Sequence, residues 1–160
     1  MREPTASADQ GKSENETAMS ETIRDIFACY RTIAVYGISR DPEAASHRVS
    51  SYLAAKGYNI IPINPHVDQI IGRKAYHRIE DVRENIDVLE VFRPADQVPA
   101  VVQEAVERRR KKGDIHVIWL QLDIKSEAAR ELAGKAGILF VQDRCMMVEH
   151  RRIYSCKERA

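Results

Sequence analysis

Five short stretches of this chain present hydroxyl, guanidinium and amide groups just past runs of apolar residues. They are Gly37, Ile38, Ser39 and Arg40, with Ser46, His47 and Arg48 close behind; Asn64-Pro65; Phe92-Arg93-Pro94; Gln121-Leu122; and Gln142 to Cys145. The chemistry of such groups is anion recognition. Free amides at a helix N-terminus bind anions, and Arg40 and Arg48 are long enough to reach phosphate oxygens. Acid–base or nucleophilic chemistry finds less support. His47, His66, His77, His116 and His150 are scattered, and no Ser/His/Asp order or metal-ligand spacing stands out.

The elements that must position these groups can be read from the apolar pattern. Thr32–Tyr36 is a short apolar run without alternation, as expected of a strand covered on both faces. Ser46–Lys56 follows as a helix with Val49, Tyr52 and Leu53 turned inward and Gly57 at its C-cap. Tyr58–Ile63 is the second strand, and Pro62 within it points to an end or an edge. Ile70–Tyr76 reads as a loop with a short extended piece. Asp87–Phe92, Asp114–Leu120 and Ile138–Val141 are three further strands, separated by helices over Ala95–Lys112 and Ser126–Lys135, the first opened by Pro94. Ahead of them all, Ser20 is placed to cap a helix over Glu21–Tyr30, with Ile23, Ile26 and Phe27 on one face.

Strands alternating with helices imply a parallel sheet with right-handed crossovers. The expected class is therefore α/β: a single Rossmann-like domain over residues 20–160, with five or six parallel strands and helices on both faces. Residues 1–19 are polar and almost free of large apolar side chains, so a disordered tail is expected there. In such sheets ligands sit beyond the carboxyl ends of the strands. That rule gathers the five stretches at one rim.

Composition narrows the rest. With 160 residues, 44% hydrophobic and 31% charged, the chain suits one packed core. A net charge of +1 gives no general case for nucleic acid, and the cations from Arg108 to Lys112 read as a solvated helix end that complements the dipole. His116, inside an apolar strand, reads as a core or rim residue. The three cysteines are odd in number and widely spaced, fitting neither a disulfide framework nor a zinc site, so a reducing, cytoplasmic setting is expected. No apolar run approaches the roughly 18 residues a membrane span needs, and the start lacks the apolar stretch of a signal peptide.

Standard NAD binding needs G-x-G-x-x-G and an acidic residue to hold the ribose. Gly37 is followed by Ile38, Ser39 and Arg40, and the second strand ends in Asn64-Pro65, which offers no carboxylate. A Walker-type loop is missing as well. The strings IAVYGISRDPEAASHRVSSYLAAKGYNIIPINP, IDVLEVFRPADQVPAVVQEA, VIWLQLDIKSEAARELAGKAGILFVQDRC and EH, in that order, instead resemble the small, stand-alone CoA-binding domain proteins of bacteria and archaea. These are relatives of the CoA-binding domain of the succinyl-CoA synthetase α subunit. The likeness runs from about Ile23 to Ile153.

The resemblance implies a Rossmann-like site for coenzyme A. In the family the turn at Gly37, Ile38, Ser39 and Arg40 cradles the pyrophosphate with Arg48 nearby. The turns at Asn64-Pro65 and Phe92-Arg93 border the adenosine and its phosphates, and Trp119 and Gln121 lie near the pantetheine path. Asp123 departs from the pattern, standing where members often carry glycine after QL. Each residue also has a plainer reading: Gly37 satisfies a tight turn, Asn64 caps the Pro65 turn, Gln121 bonds loop backbone, and Arg93 pairs with Asp96 or Glu90.

The synthetase relatives phosphorylate a histidine from a second domain and work with a partner subunit. No such second domain is visible in this sequence. The expectation is a protein that binds coenzyme A or an acyl-CoA without chemistry of its own. Two other readings stay open. Cys145, beside Arg144, could exchange disulfides with coenzyme A, or it could be a buried structural thiol. Alternatively, ligand binding could alter docking to a partner protein, which no feature of the sequence identifies. The number of copies in the assembly is equally open.

Overall fold

A computed structural model describes residues 8–155. All five expected strands form one parallel sheet. Strands β1 (Thr32–Tyr36), β2 (Asn59–Ile63), β5 (Val88–Val91), β6 (Val117–Leu120) and β7 (Leu139–Val141) lie in the order β2-β1-β5-β6-β7. Among the described residues it has no sixth strand. The short pieces β3 (Gln69–Ile70) and β4 (Arg73–Lys74) instead form a separate antiparallel hairpin, joined to the sheet edge by a bridge between Ile63 and Tyr76. Pro62 is tolerated because β2 is an edge strand of the sheet, with β1 as its one strand partner there, and the outer side at Pro62 uses its carbonyl, which accepts from Tyr76 N–H at 2.9 Å.

Side chains alternate between two apolar layers. Ile33, Val35, Val88, Val117 and Trp119 face one layer with helices α1 (Ala8–Cys29), α2 (Ala45–Ala55) and α5 (Met146–Tyr154). Ala34, Leu89, Val91, Ile118 and Leu120 face the other, against α3 (Val98–Lys112) and α4 (Glu127–Lys135). With both faces covered, the strands need no polar alternation, which is why they read as plain apolar runs. Chain order and sheet order part company between β1 and β5, where the crossovers leave in opposite directions. This is the switch point.

Four features differ from expectation. Of the stretch expected as a tail, residues 8–19 are helical, so Ser20 lies inside α1 and caps nothing. Thr17 and Thr22 bond back to the carbonyls of Ser13 and Ala18, and Glu16 pairs with Arg144 at 3.0 Å, giving that polar segment a tertiary anchor. Residues 1–7 lie outside the described residues. Helix α5 is an addition, seated on the core through Met146 and His150. Arg108 is not part of a solvated helix end. It is 7% exposed, forks onto the Asp114 carboxylate and donates to the carbonyls of Ile79, Val82 and Glu84. His116 is exposed and stacks on Tyr30, with ring centroids 5.2 Å apart.

Candidate functional site

The switch point is closed by Gly37. Its φ is +87°, a region glycine enters without penalty, and a Cβ there would stand 2.5 Å from the Phe92 carbonyl oxygen and 2.8 Å from Arg93 Cδ. No side chain fits. The end of β1 and the end of β5 therefore approach as closely as two backbones can, and Phe92 N–H donates to the Tyr36 carbonyl at 2.9 Å to fix that approach.

From Gly37 the chain turns into α2 along a chain of short bonds. Ser39 N–H donates to Ser46 Oγ at 2.9 Å, Asp41 N–H to Ser39 Oγ at 3.1 Å, and the His47 ring to the Ser39 carbonyl at 3.1 Å. The N-terminus of α2 has no side-chain cap and no acidic residue in its first turn. Its positive dipole end thus has no negative group within the first turn, the acidic residues Asp41 and Glu43 lying in the turn ahead of it.

Asn64 locks the neighbouring turn. Its amide donates to the Ile38 carbonyl at 2.8 Å, and its oxygen accepts from His66 N–H at 2.7 Å. The capping role expected of it is real, and it also clamps the Gly37 turn to the end of β2. Arg93 pairs with neither Asp96 nor Glu90; its guanidinium bonds Gln97.

These turns surround a cavity of about 630 Å³. Of the residues singled out from sequence, Gly37, Ile38, Ser39, Arg40, Asn64, Pro65 and Arg93 line it. Tyr36, His66, Val67 and His77 line it too, unanticipated. His77 arrives through the Ile63–Tyr76 bridge, a contact between distant residues that no local pattern announces. No carboxylate is among the lining residues, and Arg40 and Arg93 supply its guanidinium groups. The Tyr36 hydroxyl stays neutral, its pKa pushed up to about 12 by burial and by its bond to Glu104.

Three residues fall elsewhere. Arg48 is exposed on α2, outside the lining. Trp119 is fully buried in the core, packs on Phe27 at 5.9 Å and donates its indole N–H to the Arg144 carbonyl at 2.7 Å. Gln121 is 7% exposed, and its side-chain oxygen has no partner. Phe92 borders the site through its backbone, while its ring packs against the core. Asp123 has φ +70°, a region that glycine enters more readily than aspartate; its N–H is held by the Asp143 carboxylate at 2.8 Å.

Cys145 caps α5 and is 9% exposed, at the wall of a second cavity near the ends of β6 and β7 with Leu122, Gln142 and Arg144. Cys29 is exposed. Cys156 lies outside the described residues. No cluster of three or more potential metal ligands occurs among the described residues, and no helix there is long and apolar enough to cross a membrane.

One buried group was not singled out. Glu90, in the middle of β5, is fully buried and neither carboxyl oxygen has a partner. Burial pushes its pKa up from 4.5 to about 8.

The sequence pattern of the CoA binding domain family matches residues 31–151. The chain is 34% identical over 128 residues to the uncharacterized protein YneT of Bacillus subtilis, covering 80% of this chain and 91% of that one. It is similar in structure to a hypothetical protein of Pyrococcus horikoshii, with a TM-score of 0.77 and 35% identity over 83% of this chain and 90% of that one. It is also 31% identical over 74 residues to an ADP-forming acetate–CoA ligase of Methanocaldococcus jannaschii, a match taking in 46% of this chain and 10% of the ligase.

Proposed function

We propose, since this chain belongs to the CoA binding domain family, that it binds coenzyme A or an acyl-CoA in the cavity at the β1–β5 switch point, without catalysis of its own. The observation that carries the reading is Gly37. A backbone cradle that excludes any Cβ, opening on an uncapped helix N-terminus and walled without carboxylates, suits a diphosphate. The backbone amides of Ile38 and Arg40 and the guanidinium groups of Arg40 and Arg93 would hold the phosphates, the amides of Gly37 and Ser39 donating instead to the Ile63 carbonyl and to Ser46 Oγ. The Asn64–His66 turn, Val67 and His77 would border the nucleoside. The second strand ends without a carboxylate for ribose hydroxyls, which favours this ligand over NAD.

Calorimetric titration with coenzyme A, acetyl-CoA, NAD and ATP tests the reading. Coenzyme A or its thioester is expected to bind more tightly than NAD. Equal or stronger binding of NAD refutes it.

A further inference from the structure

Glu90 stands in register between Val35 on β1 and Trp119 on β6, so it faces the layer formed by α1, α2 and α5. From α2 that layer presents Ser46, Val49, Ser50 and Leu53, one inward stripe. Ser50 Oγ, like both oxygens of Glu90, is buried without a partner. Two and three residues on, just past the end of β5, come Phe92, whose backbone meets Gly37, and Arg93, which lines the cavity. Two strand residues advance about 6.6 Å, so the carboxyl lies roughly 10 Å below the place where phosphates would sit.

Resting on the coenzyme A reading, we propose that Glu90 is a further determinant of ligand affinity: a buried carboxyl that tolerates the polyanion above it only when protonated, so that ligand binding takes up a proton there. The step balances simply: ionised Glu90, one proton from solvent and the ligand give the complex with neutral Glu90.

The other titratable groups of this layer have partners of their own. Tyr52 and His150 share a hydrogen bond of 2.9 Å, and Tyr58 donates to the Phe27 carbonyl at 3.0 Å. Glu149 faces Arg144 and Arg152 at 3.5 and 3.4 Å. The charged residues of α1 beside its buried stripe, Arg24 and Asp25, are exposed, as is Arg48 on α2. Cys145 sits at the start of α5 on the far side of Trp119's bond to Arg144. Among the described residues of this layer, Glu90 is the buried carboxyl without a partner for a charge. At roughly 10 Å and an effective dielectric near 20, each ligand charge disfavours the ionised carboxylate by about tenfold. With Glu90 half-ionised at about pH 8 and at least two ligand charges acting on it, affinity falls nearly tenfold between about pH 7 and about pH 9.

The test uses the full chain and S-methyl coenzyme A, which has no thiol to titrate. Calorimetry in two buffers of different ionisation enthalpy reads the proton uptake near pH 8.5. The wild type is expected to take up about 0.7 proton per ligand, and Glu90→Gln none, with an affinity flat across the same range. Ligand binding to the wild type without proton uptake overturns the inference and leaves the function standing, a result that needs no variant to fold. Equal uptake by Glu90→Gln overturns it as well. If S-methyl coenzyme A fails to bind at any pH, the functional reading itself falls, and this inference with it.

Discussion

Glu90→Gln is the substitution whose effect on stability can be worked most directly. The unfolded chain holds this carboxyl at its ordinary 4.5, whereas burial holds the folded one at about 8. Between those values the folded state binds more protons than the unfolded state, so stability falls as pH rises and levels off above about 8. The slope is about 1.4 kcal/mol per pH unit, and the loss from about pH 5 to about pH 8 is about 3 kcal/mol. Glutamine is nearly isosteric and does not titrate. Its buried amide carries a penalty of its own, but the same one at every pH, so the pH dependence of the difference isolates the ionisation. Other shifted groups fall outside the window. Tyr36 and Tyr58 are pushed up to about 12, and the lowered carboxyls of Glu107 and Asp143 act below their ordinary values of 4.5 and 3.8. Urea denaturation at four pH values is the assay. The advantage of Glu90→Gln should grow steadily from acid to neutral pH. Parallel curves for the two proteins would refute the reasoning, because they would mean Glu90 ionises in the fold as easily as out of it.

Gly37→Ala should lose ligand binding and at least about 2 kcal/mol of stability, since alanine at positive φ is strained and its Cβ meets backbone that cannot move aside; thermal unfolding and calorimetry read the two effects. Arg40→Ala and Arg93→Ala should each weaken coenzyme A by about 1.5–3 kcal/mol, the range for hydrogen bonds to charged groups, whereas Arg48→Ala should cost well under 1 kcal/mol because Arg48 lies outside the cavity lining; a larger loss at Arg48 would move the phosphate site along α2. Arg108→Met should destabilise by about 3–5 kcal/mol without touching ligand affinity, because it strands the buried Asp114 carboxylate and three carbonyls far from the site; denaturant midpoints beside a binding titration separate these. Cys145, at 9% exposure, should resist CoA disulfide until the protein is denatured while Cys29 reacts, as peptide mass spectrometry would show.

What could be read from sequence is what the backbone alone decides. Strands covered on both faces leave continuous apolar runs, so all five sheet strands and the rim at their ends were legible, and a glycine followed by no second glycine already argued against a dinucleotide loop. What escaped is what two distant segments decide together. Helix α5 was missed because its buried positions include Glu149 and His150, which break the apolar period; they are admitted only because Arg144, Arg152 and Tyr52 meet them. Arg108 looked solvated for the same reason, its partners being carbonyls 24 to 29 residues away. In the site the division recurs. Gly37 and Asn64 act through main-chain geometry, which the sequence pattern carries; Trp119 was placed by family position and Arg48 first by its reach, and packing sends one into the core and the other to the surface. Glu90 is the limiting case. In the run VLEVF it is a polar residue between Leu89 and Val91, indistinguishable from a solvent-facing position until the helices covering that face are known. A carboxyl that the fold neither pairs nor exposes must be held protonated at neutral pH, which costs stability, and under the proposed reading its ionisation is the one feature of the buried layer that a bound polyanion would oppose.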